Sequence, residues 1–463
     1  MAGENPLTAA AGGCDDPRMS VHEGRIQPRL GSFDAAMVVV SLVIGIGIFR
    51  TPAVVAACTG ETSLFLLAWV LGGIVSGLGA LTYAEIGSRF PRAGGYYKVA
   101  ATCWHPAIAF MLNAAQVVMQ AVGATGVAFI GAEYLLRLAG SPSNDLAPWL
   151  AAALLAVLLA LNFAGIRSGA RTQNVLSVGK IVMIFGLGVA AFVLGSRANS
   201  VTPPPLAGRS LSGFLSALIA VFYTYGGYQC AMNLAGDVRD ARRHLPRAVL
   251  GGMTIVTLLY LAINAAYVHV LGVHGVAAEK LVAAGLAQAC FGDAGEAVVS
   301  AAIFLSAAGF VNATILQVPR SYLAMAEDGL LPRAFLRVRA GTQVQDFGLA
   351  FFGATALIAV PFLGSFEKLV SYVIFTDSLM VAVVASCIFV LRRRGTGGNT
   401  GFRMPGYPWL PLLFVAGTLV LVVHILVTQP RLALAGTAVF AAGFPLYLLM
   451  RRVHRRHDSL DAS

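Results

Sequence analysis

Twelve long apolar stretches, each bounded by a charged or Pro/Gly-rich break, leave this chain one kind of fold. They run from Phe33 to Ala57, Thr62 to Ile86, His105 to Leu136, Ala147 to Ile166, Gln173 to Gly195, Ser210 to Gly236, Ala248 to Val273, Ala297 to Met325, Phe347 to Leu363, Leu369 to Leu391, Trp409 to Thr428 and Leu432 to Met450. A bilayer core asks for about 20 apolar residues per helix. Hydrocarbon offers the backbone no hydrogen bonds, so such stretches must be helices that satisfy themselves. With 57% hydrophobic and 11% charged residues, the chain has too few polar side chains to cover a soluble globule. The expected class is an all-α integral membrane protein of about twelve transmembrane helices.

Charge sets the expected orientation. The segments on one side of alternating spans carry 23 Lys and Arg, and those on the other carry 6. Such a bias places both termini in the cytoplasm of a multi-pass protein of the plasma (inner) membrane. The net charge of +11 is therefore read as topology, and no nucleic-acid partner is expected. Residues 1–32 are polar and lack the apolar core of a cleavable signal, so they read as a disordered cytoplasmic arm. Residues 33–450 read as the helical domain and 451–463 as a basic cytoplasmic tail. The six cysteines show no CxxC or metal spacing and read as buried packing thiols.

Two spans carry glycine pairs where a membrane helix normally stays wound. In the first, Gly45 and Gly47 precede Pro52 within Ser41-Leu42-Val43-Ile44-Gly45-Ile46-Gly47-Ile48-Phe49-Arg50-Thr51-Pro52. Five spans later comes Phe222-Tyr223-Thr224-Tyr225-Gly226-Gly227-Tyr228. Five is odd, so the two spans enter from opposite sides and their breaks are related by inversion. Glycine pairs also serve close helix packing. Two at corresponding positions point instead to discontinuous helices around a midplane substrate site, with bare backbone facing a polar guest.

At these residues the chain resembles the amino acid, polyamine and organocation (APC) transporter superfamily, most of all its L-type amino acid transporter branch. Ile44-Gly45-Ile46-Gly47-Ile48-Phe49 with Pro52 is similar to the family's GSGIF-x-x-P element, and Tyr225-Gly226-Gly227-Tyr228 to its YGGW. Asp237-Val238-Arg239-Asp240 and Leu245-Pro246-Arg247-Ala248 stand where the family has E-x-x-N-P and LPRA. Tyr83 to Gly87, Pro91 to Tyr96, and Asn312 through Arg320 to Pro332 add further matches. The resemblance implies five plus five inverted helices, residues 33–195 and 210–391, with two more in 409–450. It also implies substrate contacts: the amides around Gly45, Ile46 and Gly47 for a carboxylate, and the carbonyls of Val43, Ile44, Tyr223, Thr224 and Gly226 for an ammonium. Half-helix ends suit those charges physically as well. Tyr223 matches an aromatic position that closes over substrate, the alternative being a packing ring.

Charges inside the spans are costly and need a reason. Lys180 lies 8 residues beyond Thr172, roughly 12 Å into a core about 30 Å thick. Asn312, 8 residues before Arg320, reaches a comparable depth from the same side. In sodium-coupled relatives of the fold, first-span carbonyls and eighth-span polar groups hold sodium. In many APC proteins without it, a lysine matching Lys180 stands there instead, so Lys180 and Asn312 are the candidates for an ion-site substitute or a proton site. Asp377 is either a proton site or part of an aqueous cavity wall. Arg50 departs from the family motif and either recognises an acidic substrate side chain or pairs with a loop carboxylate such as Glu61. Glu85, with Arg89 and Arg92 nearby, reads as a cytoplasmic gate or topology feature, and His269 and His424 as satisfied structural histidines.

The expected function is secondary transport of amino acids, with neutral ones as the expected substrates, by sodium-independent exchange or proton-coupled uptake. A cationic amino acid or amine carrier would want an acidic pocket side chain, and neither broken segment has one. Within the spans there is no H-E-x-x-H, G-x-S-x-G, clustered His or aspartate pair to support an integral-membrane enzyme, and no P-loop for ATP drive. Paired breaks fit occluded binding better than a channel. No cofactor and no metal are expected. Animal L-type transporters are joined to a glycoprotein through a cysteine after the third span. The loop from Arg137 to Pro148 has none, so no disulfide-linked heavy chain is expected, and the chain reads as a monomer or noncovalent homodimer.

Overall fold

In the computed structural model the described residues are 26–140, 145–195, 210–279, 281–361, 366–396, 401–428 and 430–461. The first 25 residues of the arm, and Arg197, Arg209 and Lys280 of the charge tally, lie outside them. Fifteen α-helices follow in order among the described residues: α1 (Ser32–Val43), α2 (Gly47–Thr59), α3 (Thr62–Arg89), α4 (Gly95–Cys103), α5 (Pro106–Leu138), α6 (Ala147–Phe163), α7 (Ile166–Val193), α8 (Leu211–Thr224), α9 (Ala241–Ala278), α10 (Val282–Phe291), α11 (Gly295–Glu327), α12 (Asp346–Ala359), α13 (Phe366–Arg394), α14 (Trp409–Thr428) and α15 (Pro430–Asp461). A 3₁₀ segment, Tyr228–Leu234, follows α8.

Each of the twelve apolar stretches carries helix among its described residues, but by length and composition seven helical segments among the described residues qualify to cross a membrane. The bent pair α1 and α2 makes an eighth, and α6 and α12 are shorter apolar helices. The outward faces of α7 and α14 carry Val175, Val182 and Phe185, and Leu413, Val420 and Val423, all exposed, as a lipid-facing surface requires.

Local chemistry starts and stops these helices. His105 caps α5 by accepting the Ala107 amide, with Pro106 at the first helical position. Ser210 caps α8 through the Gly213 amide, and Gly60, left-handed at φ 66°, closes α2.

Three details differ from the sequence expectation. Two short helices, α4 and α10, occupy segments between spans. The last helix runs through the basic segment to Asp461 rather than ending at Met450. The end of the N-terminal arm is anchored: the Arg29 and Leu30 amides donate to the Asp237 carbonyl, and Gln27 donates its amide to the Gln343 side chain.

Around the breaks, α9 lies against α1, α2 and α3, while α11 packs along α5 and α7. The discontinuous elements thus lie among the long helices α3, α7, α9 and α11, each of which contacts at least one of them.

Candidate functional site

The first break spans Ile44 to Ile46, and the axis bends there by 44°. The last α1 bond runs from the Ile44 amide to the Val40 carbonyl, and the Gly45 amide turns back onto Val43 at 2.9 Å. The next two amides, of Ile46 and Gly47, open α2 and have no backbone partner among the described residues. They are the free donors of a helix start.

The second break follows Thr224. The Gly226 amide bonds the Tyr223 carbonyl at 3.0 Å, and Gly227 takes φ +114° before the 3₁₀ segment begins. Gly227 also presses against the first break: a Cβ there would sit 2.3 Å from the Leu42 carbonyl oxygen. No side chain fits both constraints. Gly227→Ala is expected to lower the melting temperature in detergent by several degrees or prevent folded protein from accumulating. An unchanged melting curve would show that this contact does not hold the breaks together.

One side chain joins the two breaks. The buried Tyr260 hydroxyl of α9 lies 3.1 Å from the Val43 carbonyl and 3.3 Å from that of Thr224. Thr224 in turn donates to the Thr51 hydroxyl of α2 at 2.9 Å. Tyr225, 0% exposed, packs between Trp69 and Tyr260, whereas Tyr223 is 38% exposed and its ring lines the cavity described below. The packing role therefore belongs to Tyr225.

Lys180 reaches the first break from α7. Its Nζ donates to the Ile44 carbonyl at 2.8 Å and to the Ser306 carbonyl of α11 at 3.2 Å. The Ser306 hydroxyl adds bonds to the Gly45 carbonyl at 2.9 Å and to Ile44 at 3.2 Å. The ammonium is buried, and among the described residues no carboxylate pairs with it.

Asn312 does not share this place, contrary to the grouping that depth alone suggests. Its side chain meets Asn162, Gln173 and the Gly169 carbonyl, six residues further along α11 than Ser306. Counting residues gives height in the membrane, whereas the helical phase decides which neighbour a side chain meets. The Ile44 carbonyl is likewise engaged by Lys180 and Ser306, and that of Val43 by Gly45 and Tyr260. At the second break the Tyr223 carbonyl accepts the Gly226 and Tyr225 amides and that of Thr224 accepts the Tyr260 hydroxyl, which leaves the Gly226 carbonyl the least committed of the three among the described residues.

Between the breaks lies a cavity of about 720 Å³. Its wall includes Gly45, Ile46, Gly47, Tyr223, Thr224 and Gly226, and it extends to Arg50 and Glu133, which stand in each other's field. Opposite the breaks, α5 and α13 contribute Gln116, Gln120, Asp377 and Ser378, with Cys230 from the 3₁₀ segment. Both glutamine amides donate to the Cys230 sulfur, at 3.5 and 3.3 Å. Of this wall the sequence pointed to Asp377, as a proton site or part of an aqueous cavity wall, but not to Gln116, Gln120, Cys230 and Ser378, although Gln116 and Gln120, spaced i and i+4 in an apolar helix, were an available signal.

The face where α1 begins is closed by buried ion pairs. Arg320 grips Asp237 with two bonds of 2.8 Å and also holds the Gln345 side chain and the Gln343 carbonyl. Glu85, fully buried, binds Arg89 at 2.8 Å, Arg392 at 2.5 Å and the Met404 amide at 2.8 Å. Glu85's partners are thus Arg89 and Arg392 rather than Arg92.

This arrangement, a largely apolar cavity with bare backbone and a few polar side chains in its wall, set between two interrupted helices and bounded on one face by buried ion pairs, is what a carrier of small zwitterions requires. The family profile described as amino acid permease matches residues 30–450. The chain is similar to the serine/threonine exchanger SteT of Bacillus subtilis, at 28% identity over 94% of this chain and 99% of that protein. It is also similar to the human Asc-type amino acid transporter 1, at 26% identity over 94% and 86%. A third relative is the mouse large neutral amino acids transporter small subunit 2, at 25% identity over 92% and 81%. The residues matched by the family profile, 30–450, include both breaks and the closing ion pairs, and the chain accordingly belongs to the amino acid permeases of the APC superfamily, membrane transporters rather than enzymes.

Proposed function

We propose that this permease exchanges neutral amino acids without sodium, by alternating access to the cavity between the two breaks. The observation that carries the reading is the Lys180 ammonium on the Ile44 and Ser306 carbonyls. A fixed cation there uses oxygens that a bound sodium ion would need, and supplies the charge that such an ion would bring. The substrate carboxylate lies on the amides of Ile46 and Gly47, at the positive end of α2. Its ammonium lies on the carbonyls of Tyr223, Thr224 and Gly226, with the Tyr223 ring closing over it. Neutral substrates agree with those for which the serine/threonine exchanger and the large neutral amino acids transporter are named. The same reading has twelve crossings, residues 33–195 and 210–391 as inverted repeats, helices in 409–450 added, and both termini in the cytoplasm of a plasma membrane protein.

A second reading, a carrier of cationic amino acids, is favoured by Asp377 in the cavity wall. One experiment separates them. Proteoliposomes loaded with unlabelled amino acids are expected to take up labelled neutral amino acids equally with and without sodium, and to depend on internal amino acid. Uptake that needs sodium, or that runs only with lysine or arginine, would overturn the proposal.

A further inference from the structure

The head-group contacts just proposed are all backbone, so they cannot tell one amino acid from another. Discrimination must come from what the substrate side chain meets, and besides apolar side chains the cavity wall offers it the polar groups of Gln116, Gln120, Cys230, Asp377 and Ser378. Most of these groups are already engaged with protein. The two glutamines donate to the Cys230 sulfur. Asp377 is the carboxyl acceptor among them: it opens into the cavity, has Gln116 within side-chain hydrogen-bonding reach and Tyr96, Tyr223, Tyr228 and Cys230 close by, and forms no ion pair with Lys or Arg among the described residues, so its two oxygens keep capacity for a further donor. Lys180 is committed to Ile44 and Ser306 and cannot serve as its counter-charge. Arg50 stands at the cavity's other end with Glu133.

A carboxyl group in a largely apolar cavity is expensive unless something donates to it. We infer that Asp377 is the specificity-determining residue of the site, and that it accepts a hydrogen bond from a substrate side-chain hydroxyl. Amino acids bearing such a hydroxyl are then favoured over apolar isosteres. The inference rests on the permease reading above and adds a substrate class to it. The physical basis is an asymmetry. Threonine and valine have nearly the same shape, but valine brings no donor to the remaining acceptor capacity of Asp377, and a site built around a hydrogen bond rejects the analogue that lacks it.

The test is a comparison of threonine and valine as substrates of the full-length protein in proteoliposomes. The native chain is expected to favour threonine in kcat/KM by about tenfold or more. In Asp377→Leu and Asp377→Ala the threonine-to-valine ratio is expected to fall to about one. A ratio that stays at its native value in both variants, even with both rates reduced, overturns the inference and assigns Asp377 to structure or to proton movement. A native preference for valine, or for lysine above threonine, overturns it as well. Failure of the native chain to transport any amino acid would instead strike the permease reading, so the two failures are distinguishable. Native levels of each variant in detergent-solubilised membranes establish that a collapsed ratio is a property of folded protein.

Discussion

Lys180→Ala is expected to abolish amino acid exchange while the protein still inserts into the membrane and elutes as a folded species in detergent. The Lys180 ammonium is the only side chain that spans from α7 to both the first break and α11, through bonds of 2.8 and 3.2 Å among the described residues. Removing it takes a charged donor from the Ile44 and Ser306 carbonyls in a buried site, a loss of about 1.5–3 kcal/mol per hydrogen bond, and leaves Ile44 only the longer bond from the Ser306 hydroxyl. It also opens a gap, because α11 approaches so closely that a Cβ on Gly309 would lie 2.9 Å from the lysine Cε and Nζ. The break would then adopt another path, and the Ile46 and Gly47 amides would lose their aim. The remainder of the bundle does not pass through Lys180, which is why folding is expected to survive. Lys180→Met separates volume from charge: it fills the gap without donating and is expected to be inactive too. Measured exchange near the native rate in Lys180→Ala would show that the brace is dispensable. Exchange restored in Lys180→Met would assign the role to packing.

Much of this organisation was legible in the sequence, for reasons that differ from residue to residue. Lys180 stands out because a full charge inside an apolar run has few bland explanations. Gly45 and Gly47, with Pro52 near them, are visible because they conflict with a continuous membrane helix, and the chain does stop and restart between Val43 and Gly47. Tyr260 and Ser306 carry no comparable signal. Hydroxyls in membrane helices commonly bond to their own preceding turn, as Thr82 and Thr125 do here, and only the fold shows that these two reach a neighbouring break instead. Depth was readable for Asn312 and direction was not, because eight residues fix a height but a small error in helical phase turns the side chain to another neighbour. The helices α4 and α10 escape notice because 9 and 10 residues are too few to show a periodic pattern between long spans.

The largest effect on stability is expected at the pair that closes the arginine-rich face. Arg320→Ala leaves the Asp237 carboxylate buried without its two guanidinium bonds, and Asp237→Ala leaves the guanidinium without its anion; both residues are almost inaccessible to solvent. Breaking a buried pair by removing one member costs about 3–5 kcal/mol, because the surviving charge remains desolvated. The consequence extends beyond two side chains. Arg320 holds Gln343 and Gln345, and the backbone carbonyl of Asp237 receives the amides of Arg29 and Leu30, so four chain segments meet at this point. Each single variant is therefore expected to unfold at markedly lower temperature in detergent and to lose exchange, since a carrier that cannot seal one face cannot alternate between two. The double variant Asp237→Ala and Arg320→Ala has no stranded charge, and it is expected to be more stable than either single one. That ordering is the discriminating result: a double variant whose loss equals the sum of the single losses would mean that the two side chains act independently, and the closing role assigned to their contact would have to be abandoned.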